Sequence, residues 1–311
     1  QPCPVPAVCS PGYCVFSGMN VVSQFKLAPF LSQPVVVLSN LTRSRPTPFK
    51  LSQAQRSGRV IPHTSNTQSL EMEQSTYATT PFKTIHFLRH GQAQHNINAE
   101  RMKKEGCSHD AFLKAMQTDD QFDAALTALG VEQARVASTT AAPQRVAPTL
   151  NLVVASPLSR AIDTADLVFP AHAATCSRVC LEPIREINGW LVNAKRMRRS
   201  ELAAKYPAWE FSQLSTEEDE QWAAHGDILE SHESTQARAY ETVQWLWARP
   251  EQNIALVGHG GIFGLLTNDH AHIKSEPGVG ARFENCELRS CKLYLTEDGP
   301  EPRFGLSMLE A

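Results

Sequence analysis

Short apolar runs alternate along this chain with longer stretches in which apolar and polar residues are mixed at helical spacing. The runs have the length of strands and are rich in β-branched or aromatic side chains, which favours strands. The predicted strands are residues 84–88, 151–156, 179–184, 253–257 and, as the last one, 292–295. The predicted helices are residues 95–116, 123–138, 158–168, 200–206 and 235–248. This alternation predicts an α/β fold of three layers, in which a mainly parallel sheet is flanked by helices on both faces.

Two segments carry more specific expectations. Thr127 fits the N-cap position of the second predicted helix. The expected apolar side of that helix consists of Leu129, Val131, Ala134 and Val136. Residues 217–222 are mostly acidic and include one tryptophan, so we interpret them as a solvated loop or lid and not as part of the core.

The first 70 residues differ in composition from the rest. They contain six Lys/Arg and no Asp or Glu, with many Ser, Pro and Gln residues. This composition is typical of an organelle transit peptide, and the alternative is untranslated or fragmentary sequence, with translation starting at Met19 or Met72. In both cases we expect residues 1–80 to be disordered or transit-like and residues 81–311 to form the folded domain. The expected location is the cytoplasm, or a plastid or mitochondrion if the transit peptide is genuine.

Charge and cysteine usage exclude several classes of function. Beyond residue 70 the chain has 23 basic and 32 acidic residues, which argues against a nucleic-acid partner, so any phosphate site must be a local cluster of cations. No apolar run approaches the roughly 18 residues that a spanning helix needs, so no membrane association is expected. The eight cysteines lack zinc-finger spacing and are interpreted as reduced thiols.

Three of the predicted strands end next to cationic or titratable side chains. Arg89 and His90 follow the first strand, and His259 follows the fourth. Ser156 ends the second strand and leads to Arg160 in the next helix. Parallel strands bring their carboxyl ends to one edge, where open α/β sheets bind ligands. Two arginines and two histidines at that edge predict a phosphate site, which the N-terminus of the helix carrying Arg160 would also favour.

Four motifs in this order resemble those of the histidine phosphatase superfamily, whose fold is called phosphoglycerate mutase-like. The motifs are LRHG at 88–91 with Asn96 beyond it, LTxxGxxQA at 126–134, SPLxRA at 156–161 and VGHGG at 257–261. They span most of residues 84–296. The sequence RHGQAQHN at 89–96 resembles the corresponding motif in phosphoglycerate mutase-like proteins of plants and fungi. So do the residues SEL at 200–202 and YP at 206–207.

The resemblance implies a reaction and a set of site residues. His90 would be the nucleophile that forms a phosphohistidine, and it must be neutral to attack. Arg89, Arg160 and His259 would bind the phosphate oxygens. Asn96 and Gly260 would be further substrate contacts. Since positioning and electrostatics carry phosphoryl transfer of this kind, no metal and no cofactor are expected.

The proton donor to the leaving group is expected within residues 181–186. In the mutase-like branch a glutamate after the third strand has this role, and Glu186 fits its position better than Glu182, which stays an alternative. The acid phosphatase branch has an aspartate directly after the second histidine. Gly260 occupies that position here, which disfavours this branch.

A phosphatase that acts on a small phosphorylated substrate is the preferred function. Residues 187–191 read INGWL and lack the signature of true mutases, which leaves phosphoglycerate mutase as the alternative. A non-catalytic relative that binds phospho-ligands is a second alternative, and a nucleotide-binding oxidoreductase is disfavoured because the glycines after residue 257 lack the required spacing.

The basic run 195–199 is either a solvated face or a substrate rim, and His270 and His272 are interpreted as a solvated loop. The natural substrate and the oligomeric state are not predicted.

Overall fold

The computed structural model describes residues 81–117, 120–170 and 176–309. Its strands are β1 (Phe82–Arg89), β2 (Leu152–Ala155), β3 (Ser177–Cys180), β4 (Asn253–Gly258), β5 (Ile273–Ser275), β6 (Leu288–Glu297) and β7 (Arg303–Met308). Its helices are α1 (Asn96–Lys104), α2 (His109–Gln117), α3 (Ala128–Thr139), α4 (Ala141–Val146), α5 (Ser159–Val168), α6 (Arg199–Lys205), α7 (Glu220–His225), α8 (His232–Ala248) and α9 (Gly260–Thr267). The expectations for residues 1–80, including the domain boundary, lie outside the described residues.

The described strands form one sheet in the order β3-β2-β4-β1-β6-β7-β5. The four strands β3, β2, β4 and β1 run parallel to one another, and β5 runs parallel to β7. Strand β6 is antiparallel to both β1 and β7. The sheet is therefore mixed but mainly parallel, as the alternating pattern predicts.

Helices cover both faces of this sheet because successive side chains of each strand point to opposite faces. On β4, Ile254 and Leu256 belong to an apolar cluster that includes side chains of α8 and α9. Ala255 and Val257 belong to a second cluster, formed with α3, α5 and α6. The expected three-layer α/β architecture is thus confirmed.

Most central elements agree with their sequence-based bounds. The strands predicted at 84–88, 151–156 and 253–257 are β1, β2 and β4, and the helices predicted at 158–168, 200–206 and 235–248 are α5, α6 and α8. These elements have the strongest apolar patterns, and their ends are displaced by three residues at most.

Other predicted elements are wrong in extent. The strand expected at 179–184 ends at Cys180, because the chain turns into a short 3-10 helix, Glu182–Ile184, in which Pro183 has no N–H for a sheet ladder. The strand expected at 292–295 is part of the longer β6 and is not the last, since β7 follows it. Helix α9 begins at Gly260 in a glycine-rich stretch of low helix propensity, which the sequence pattern did not predict.

The two helices expected before β2 also differ from the prediction. Residues 95–116 form two helices, with Gly106 between them at φ +83°. The next helix begins at Ala128, and Thr127 caps it as expected by accepting a hydrogen bond from the Gly130 N–H at 2.9 Å. Leu129 and Val136 are 54% and 53% exposed, so the expected apolar side is wrong at these two positions, while Ala134 is buried as expected. The buried side consists of Gly130, Ala134 and Ala137, small residues that let this helix pack closely.

The acidic segment 217–222 is not a solvated loop throughout. Asp219 is buried and accepts hydrogen bonds from both terminal nitrogens of the fully buried Arg185, at 2.6 and 2.8 Å. Arg196, in the basic run, is also buried and donates to Glu182 at 3.0 Å, so it belongs neither to a solvated face nor to a substrate rim. Each of these buried charges pairs with a residue outside its own segment, Asp219 with Arg185 and Arg196 with Glu182, which a local pattern cannot show.

None of the described helices is long and apolar enough to cross a membrane. The cysteines within the described residues are free thiols, namely Cys107, Cys176, Cys180, Cys286 and Cys291.

Candidate active site

The carboxyl ends of β1, β2 and β4 meet at one edge of the sheet. Arg89 lies opposite Gly258 in the β1–β4 register, so His90 and His259 leave the sheet side by side. Their ring centroids are 4.9 Å apart. Ser156, which follows β2, lies with its Oγ 2.8 Å from the Nε2 atom of His259. The expected convergence of these strand ends is present.

The imidazole of His90 is held in one tautomer. Its Nδ1 atom lies 2.6 Å from the carbonyl oxygen of Gly91, and a carbonyl only accepts, so Nδ1 carries the proton. The pKa of His90 lies well below its ordinary value, first because the ring is buried and then because Arg160 and Arg89 are cationic. A neutral ring protonated at Nδ1 has its lone pair on Nε2.

Arg160 is fully buried near the start of α5 and is only partly satisfied by the protein. Its Nη1 donates to the carbonyl oxygen of Asn193 at 2.8 Å. Its Nε and Nη2 have no hydrogen-bond partner among the described residues. Burial lowers the pKa of Arg160 to about 10, against the opposing effect of Asp123 and Glu186, so the group is still a cation at neutral pH. Such donors can bind a phosphate dianion.

Arg89 offers one further donor at this edge. Its Nη1 donates to the carbonyl oxygen of Phe283 at 2.9 Å, and its Nη2 lies 3.4 Å from Glu100 Oε1. Its Nε has no hydrogen-bond partner within the described part of the chain. The Cβ of an alanine at Gly260 would lie 3.4 Å from this Nε, so the glycine keeps the space beside the guanidinium open.

The N-terminus of α5, which was expected to face the phosphate, holds a carboxylate of the protein instead. Asp123 accepts from the Ser159 N–H at 2.9 Å and from the Ser159 hydroxyl at 2.7 Å. Burial raises the pKa of Asp123 to about 6, although its hydrogen bonds with Ser159 and the nearby Arg160 oppose this. Sequence reasoning treated Asp123 as a helical residue and missed this role.

A third histidine belongs to the same cluster. His95 is buried with its ring centroid 6.2 Å from that of His90, and its Nε2 lies 2.9 Å from the Nδ2 of Asn96. Burial, followed by the charge of Arg160, also lowers the pKa of His95 and of His259 well below the ordinary value. The sequence carried a signal for His95, since it directly precedes Asn96 in the motif at 89–96.

The second motif, LTxxGxxQA, holds the loop that follows His90. The Gln92 N–H donates to Gln133 Oε1 at 2.8 Å, and Thr127 Oγ1 donates to Gln92 Oε1 at 3.1 Å. A Cβ at Gly130 would lie 2.0 Å from the carbonyl oxygen of Gln92, so only glycine permits this approach. The Gly91 N–H donates to Thr164 Oγ1 at 3.1 Å, which ties the loop to α5.

Glu186 lies at the N-terminus of α9, beside the histidines. Its Oε1 accepts from the Ile187 and Ile262 N–H groups at 3.0 and 3.2 Å, and its Oε2 accepts from the Gly261 N–H at 3.2 Å. A Cβ at Gly261 would lie 2.2 Å from Glu186 Oε1, so an alanine there would displace the carboxyl group from this position. Backbone donors at a helix start thus fix this side chain.

Glu182 is occupied by a different set of contacts. It accepts from Arg185 at 2.7 Å and from Arg196 at 3.0 Å, within the buried ion pairs that include Asp219. Glu186 lines the cavity in front of His90, and Glu182 is not among the described lining residues.

This cavity has a volume of about 340 Å³. Its polar lining includes Arg89, His90, His95, Asn96, Glu186 and Asn193, and Gly260 lies at its border. Asn193 is 1% exposed, and its amide oxygen and nitrogen have no hydrogen-bond partner among the described residues. Nothing in the local sequence around Asn193 signals this position. Arg160 and His259 are fully buried and are not among the lining residues.

The described residues contain no group of three or more His, Cys, Asp or Glu side chains that could hold a metal ion. His270 and His272 have a spacing that resembles that of metal ligands. Both are half-buried, whereas a solvated loop was expected. The ring of His272 stacks on Tyr240, with centroids 4.2 Å apart.

A mainly parallel α/β sheet with paired histidines and buried arginines at its carboxyl edge defines a class of protein that handles phosphoryl groups. The sequence profile of the histidine phosphatase superfamily (branch 1) matches residues 85–302, and the chain belongs to this superfamily. The expected resemblance to its phosphoglycerate mutase-like branch is also confirmed.

Two individual relatives are named as a phosphoglycerate mutase-like protein and a probable phosphoglycerate mutase, and one similar solved structure is named as a phosphatase. Phosphoglycerate mutase-like protein 1 of Arabidopsis thaliana is 32% identical over 239 residues, which cover 67% of this chain and 80% of the relative. A probable phosphoglycerate mutase of the fungus Arthroderma benhamiae is 27% identical, over 61% of this chain and 59% of the relative. Among solved structures, a mycobacterial glucosyl-3-phosphoglycerate phosphatase is 21% identical with a TM-score of 0.42, covering 74% of this chain and 99% of that one. Membership of the superfamily supports phosphoryl transfer in general.

The buried neutral histidines make stability depend on pH. Below about pH 6.5 an unfolded histidine takes up a proton that its buried, low-pKa counterpart does not, so the free energy of unfolding falls as pH falls. We expect His259→Asn to reduce this fall by up to about 1.4 kcal/mol per pH unit, and His232→Asn, at an exposed residue, to leave it unchanged. Urea unfolding at pH 7.5 and 5.5 measures the difference. Equal pH dependence in all three proteins would contradict the assignment.

Proposed function

We propose that this protein is a metal-independent phosphatase that hydrolyses a phosphate monoester through a phosphohistidine on His90. The observation that carries the proposal is the group of buried donors around His90. Arg160 and Arg89 have guanidinium N–H groups without a partner among the described residues, and burial together with the same charges keeps His90 neutral. A cluster of this kind is suited to a dianion and a nitrogen nucleophile together.

In the first proposed step the lone pair of His90 Nε2 attacks phosphorus. The bond between phosphorus and the ester oxygen breaks, and its electron pair leaves with that oxygen. Glu186 transfers its carboxyl proton to the oxygen, which leaves as an alcohol. Arg89, Arg160 and His259 stabilise the charge on the remaining phosphate oxygens, and Asn96 is a further donor beside them.

In the second proposed step a water molecule attacks the phosphohistidine. The bond between phosphorus and Nε2 breaks, its electrons return to His90, and the proton of the water goes to the Glu186 carboxylate. The sum is ester plus water giving alcohol plus phosphate, with the enzyme restored. In this mechanism the arginines, and not a metal ion, neutralise the charge of the phosphate. Turnover is therefore expected to persist in the presence of a metal chelator.

Phosphoglycerate mutase activity differs only in the acceptor of the second step. A second hydroxyl group would take the phosphoryl group in place of water. The missing mutase signature at residues 187–191 favours water. Release of inorganic phosphate, compared with interconversion of phosphoglycerates, distinguishes the two activities.

The nucleophile is tested with His90→Ala. Incubation with a labelled phosphate ester and a denaturing quench should leave acid-labile label on the wild type and none on the variant, because the attacking nitrogen is gone. His232→Ala, at an exposed histidine of α8, should be labelled like the wild type. Equal labelling of His90→Ala and the wild type would refute the nucleophile assignment. A folded wild type that never becomes labelled would favour the non-catalytic alternative.

The proton donor is tested with Glu186→Gln and single-turnover phosphoenzyme formation. Loss of a general acid should slow reaction of an alkyl phosphate by about 10²–10⁴-fold, and of 4-nitrophenyl phosphate far less, because nitrophenolate leaves without a proton. Glu182→Gln weakens ion pairs with Arg185 and Arg196, so its losses should be similar for both esters. A leaving-group-dependent loss in Glu182→Gln alone would move the donor to that residue.

A further inference from the structure

We infer that the phosphate ester bound at this site has an apolar leaving group, an alkyl or aryl chain that lies against one face of α2. This inference rests on the proposed phosphatase function and names its substrate class. It follows from the way polar and apolar groups are distributed in the cavity in front of His90.

Burial separates the cavity into a polar base and an apolar outer part. The groups suited to phosphate, His90, Arg89 and the amide of Asn193, are buried. The apolar lining residues are Phe112, Leu113, Met116, Ile187, Leu191, Leu229 and Phe283. All of them except Leu191 and Phe283 are half-buried, which places them nearer the mouth. A bound ester that reaches His90 with its phosphoryl group therefore places its leaving group among these side chains.

Helix α2 supplies the largest share of this apolar wall. Phe112, Leu113 and Met116 follow the i, i+1, i+4 spacing of one helix face, and α2 has no fully buried residue. A helix whose apolar face borders a cavity gains stability when an apolar group covers that face, by about 25 cal/mol per Å². The wall is continuous with the phosphate site, so the group that covers it is attached to the phosphate.

A polyol leaving group, such as glycerol or a sugar, fits this wall poorly. Each hydroxyl that loses water needs a hydrogen-bond partner, and the apolar side chains of this wall provide none. The polar groups nearer solvent are Lys103, His109 and Arg282, which are exposed. Lys103 Nζ lies 5.3 Å from the centroid of the Phe112 ring, a cation–π contact at the rim. The charges of Lys103 and Arg282 attract the phosphate dianion toward the mouth without contacting the buried base.

The cavity also has room for a leaving group. A volume of about 340 Å³ lies at the lower end of the roughly 300–1,000 Å³ of small-molecule pockets. A phosphoryl group has only four heavy atoms, so most of the space remains for what is attached to it.

The test uses n-alkyl phosphates from ethyl to octyl, whose leaving groups have nearly equal basicity. The kcat/KM of the wild type should rise with chain length, by up to about fourfold per methylene, until the wall is covered. Glycerol phosphate and 3-phosphoglycerate should be at least tenfold poorer than butyl phosphate. A flat profile, or a preference for either polar ester, overturns the inference.

Met116→Gln locates the effect on α2, because it keeps the length of the side chain and adds a polar amide. The ratio of octyl to ethyl kcat/KM should fall at least fivefold in this variant. Met308→Gln, at an exposed methionine of β7 outside the cavity, should keep the wild-type ratio. An unchanged ratio in Met116→Gln overturns the placement of the leaving group.

The two proposals fail in different ways. If no ester is hydrolysed and no phosphoenzyme forms, the phosphatase function fails and the inference fails with it. If ethyl phosphate is hydrolysed through a labelled His90 and longer chains give no gain, the function stands and the apolar leaving group is refuted.

Discussion

A buried positive charge beside three histidines determines the chemistry available at this sheet edge. Arg160 has no exposed surface, and burial lowers its pKa to about 10, yet it remains a cation at neutral pH. Together with burial, its charge lowers the pKa of His90, His95 and His259, so the rings are neutral and have a lone pair. The same guanidinium has two donors without a partner among the described residues. Burial and this one cation together leave an imidazole lone pair free beside donors that suit a dianion.

The surrounding fold holds these groups through backbone contacts that only certain residues permit. The carbonyl of Asn193 accepts from Arg160, and the segment that leads to it is fixed by the buried pair between Arg185 and Asp219. Gly130 leaves space for the loop after His90, and Gly261 leaves space for the carboxyl group of Glu186 at the start of α9. Buried ion pairs of this kind add little net stability, but loss of one partner is costly, so they specify one arrangement of the segment.

The sequence predicted that the site residues meet at one edge of the sheet. It did not predict many of the buried contacts that hold them there. Strand ends at residues 88, 156 and 257 are visible as apolar runs, and the parallel order brings Arg89, Arg160 and His259 to one edge. Asp219 was read as solvated because a local acidic composition does not reveal a distant arginine. The apolar face of α2 was hidden in a stretch that looked like one polar helix, since this face borders the cavity and does not pack into the core.

The position of the phosphoryl group on the histidine tests the central claim most directly. The Gly91 carbonyl accepts from Nδ1 of His90 at 2.6 Å, which leaves the lone pair on Nε2, the proposed nucleophile. Phosphorus NMR and peptide mapping of the quenched phosphoenzyme distinguish the two isomers of phosphohistidine. The account predicts a single phosphohistidine, at Nε2 of His90. Phosphate on Nδ1, or on another residue, would contradict it.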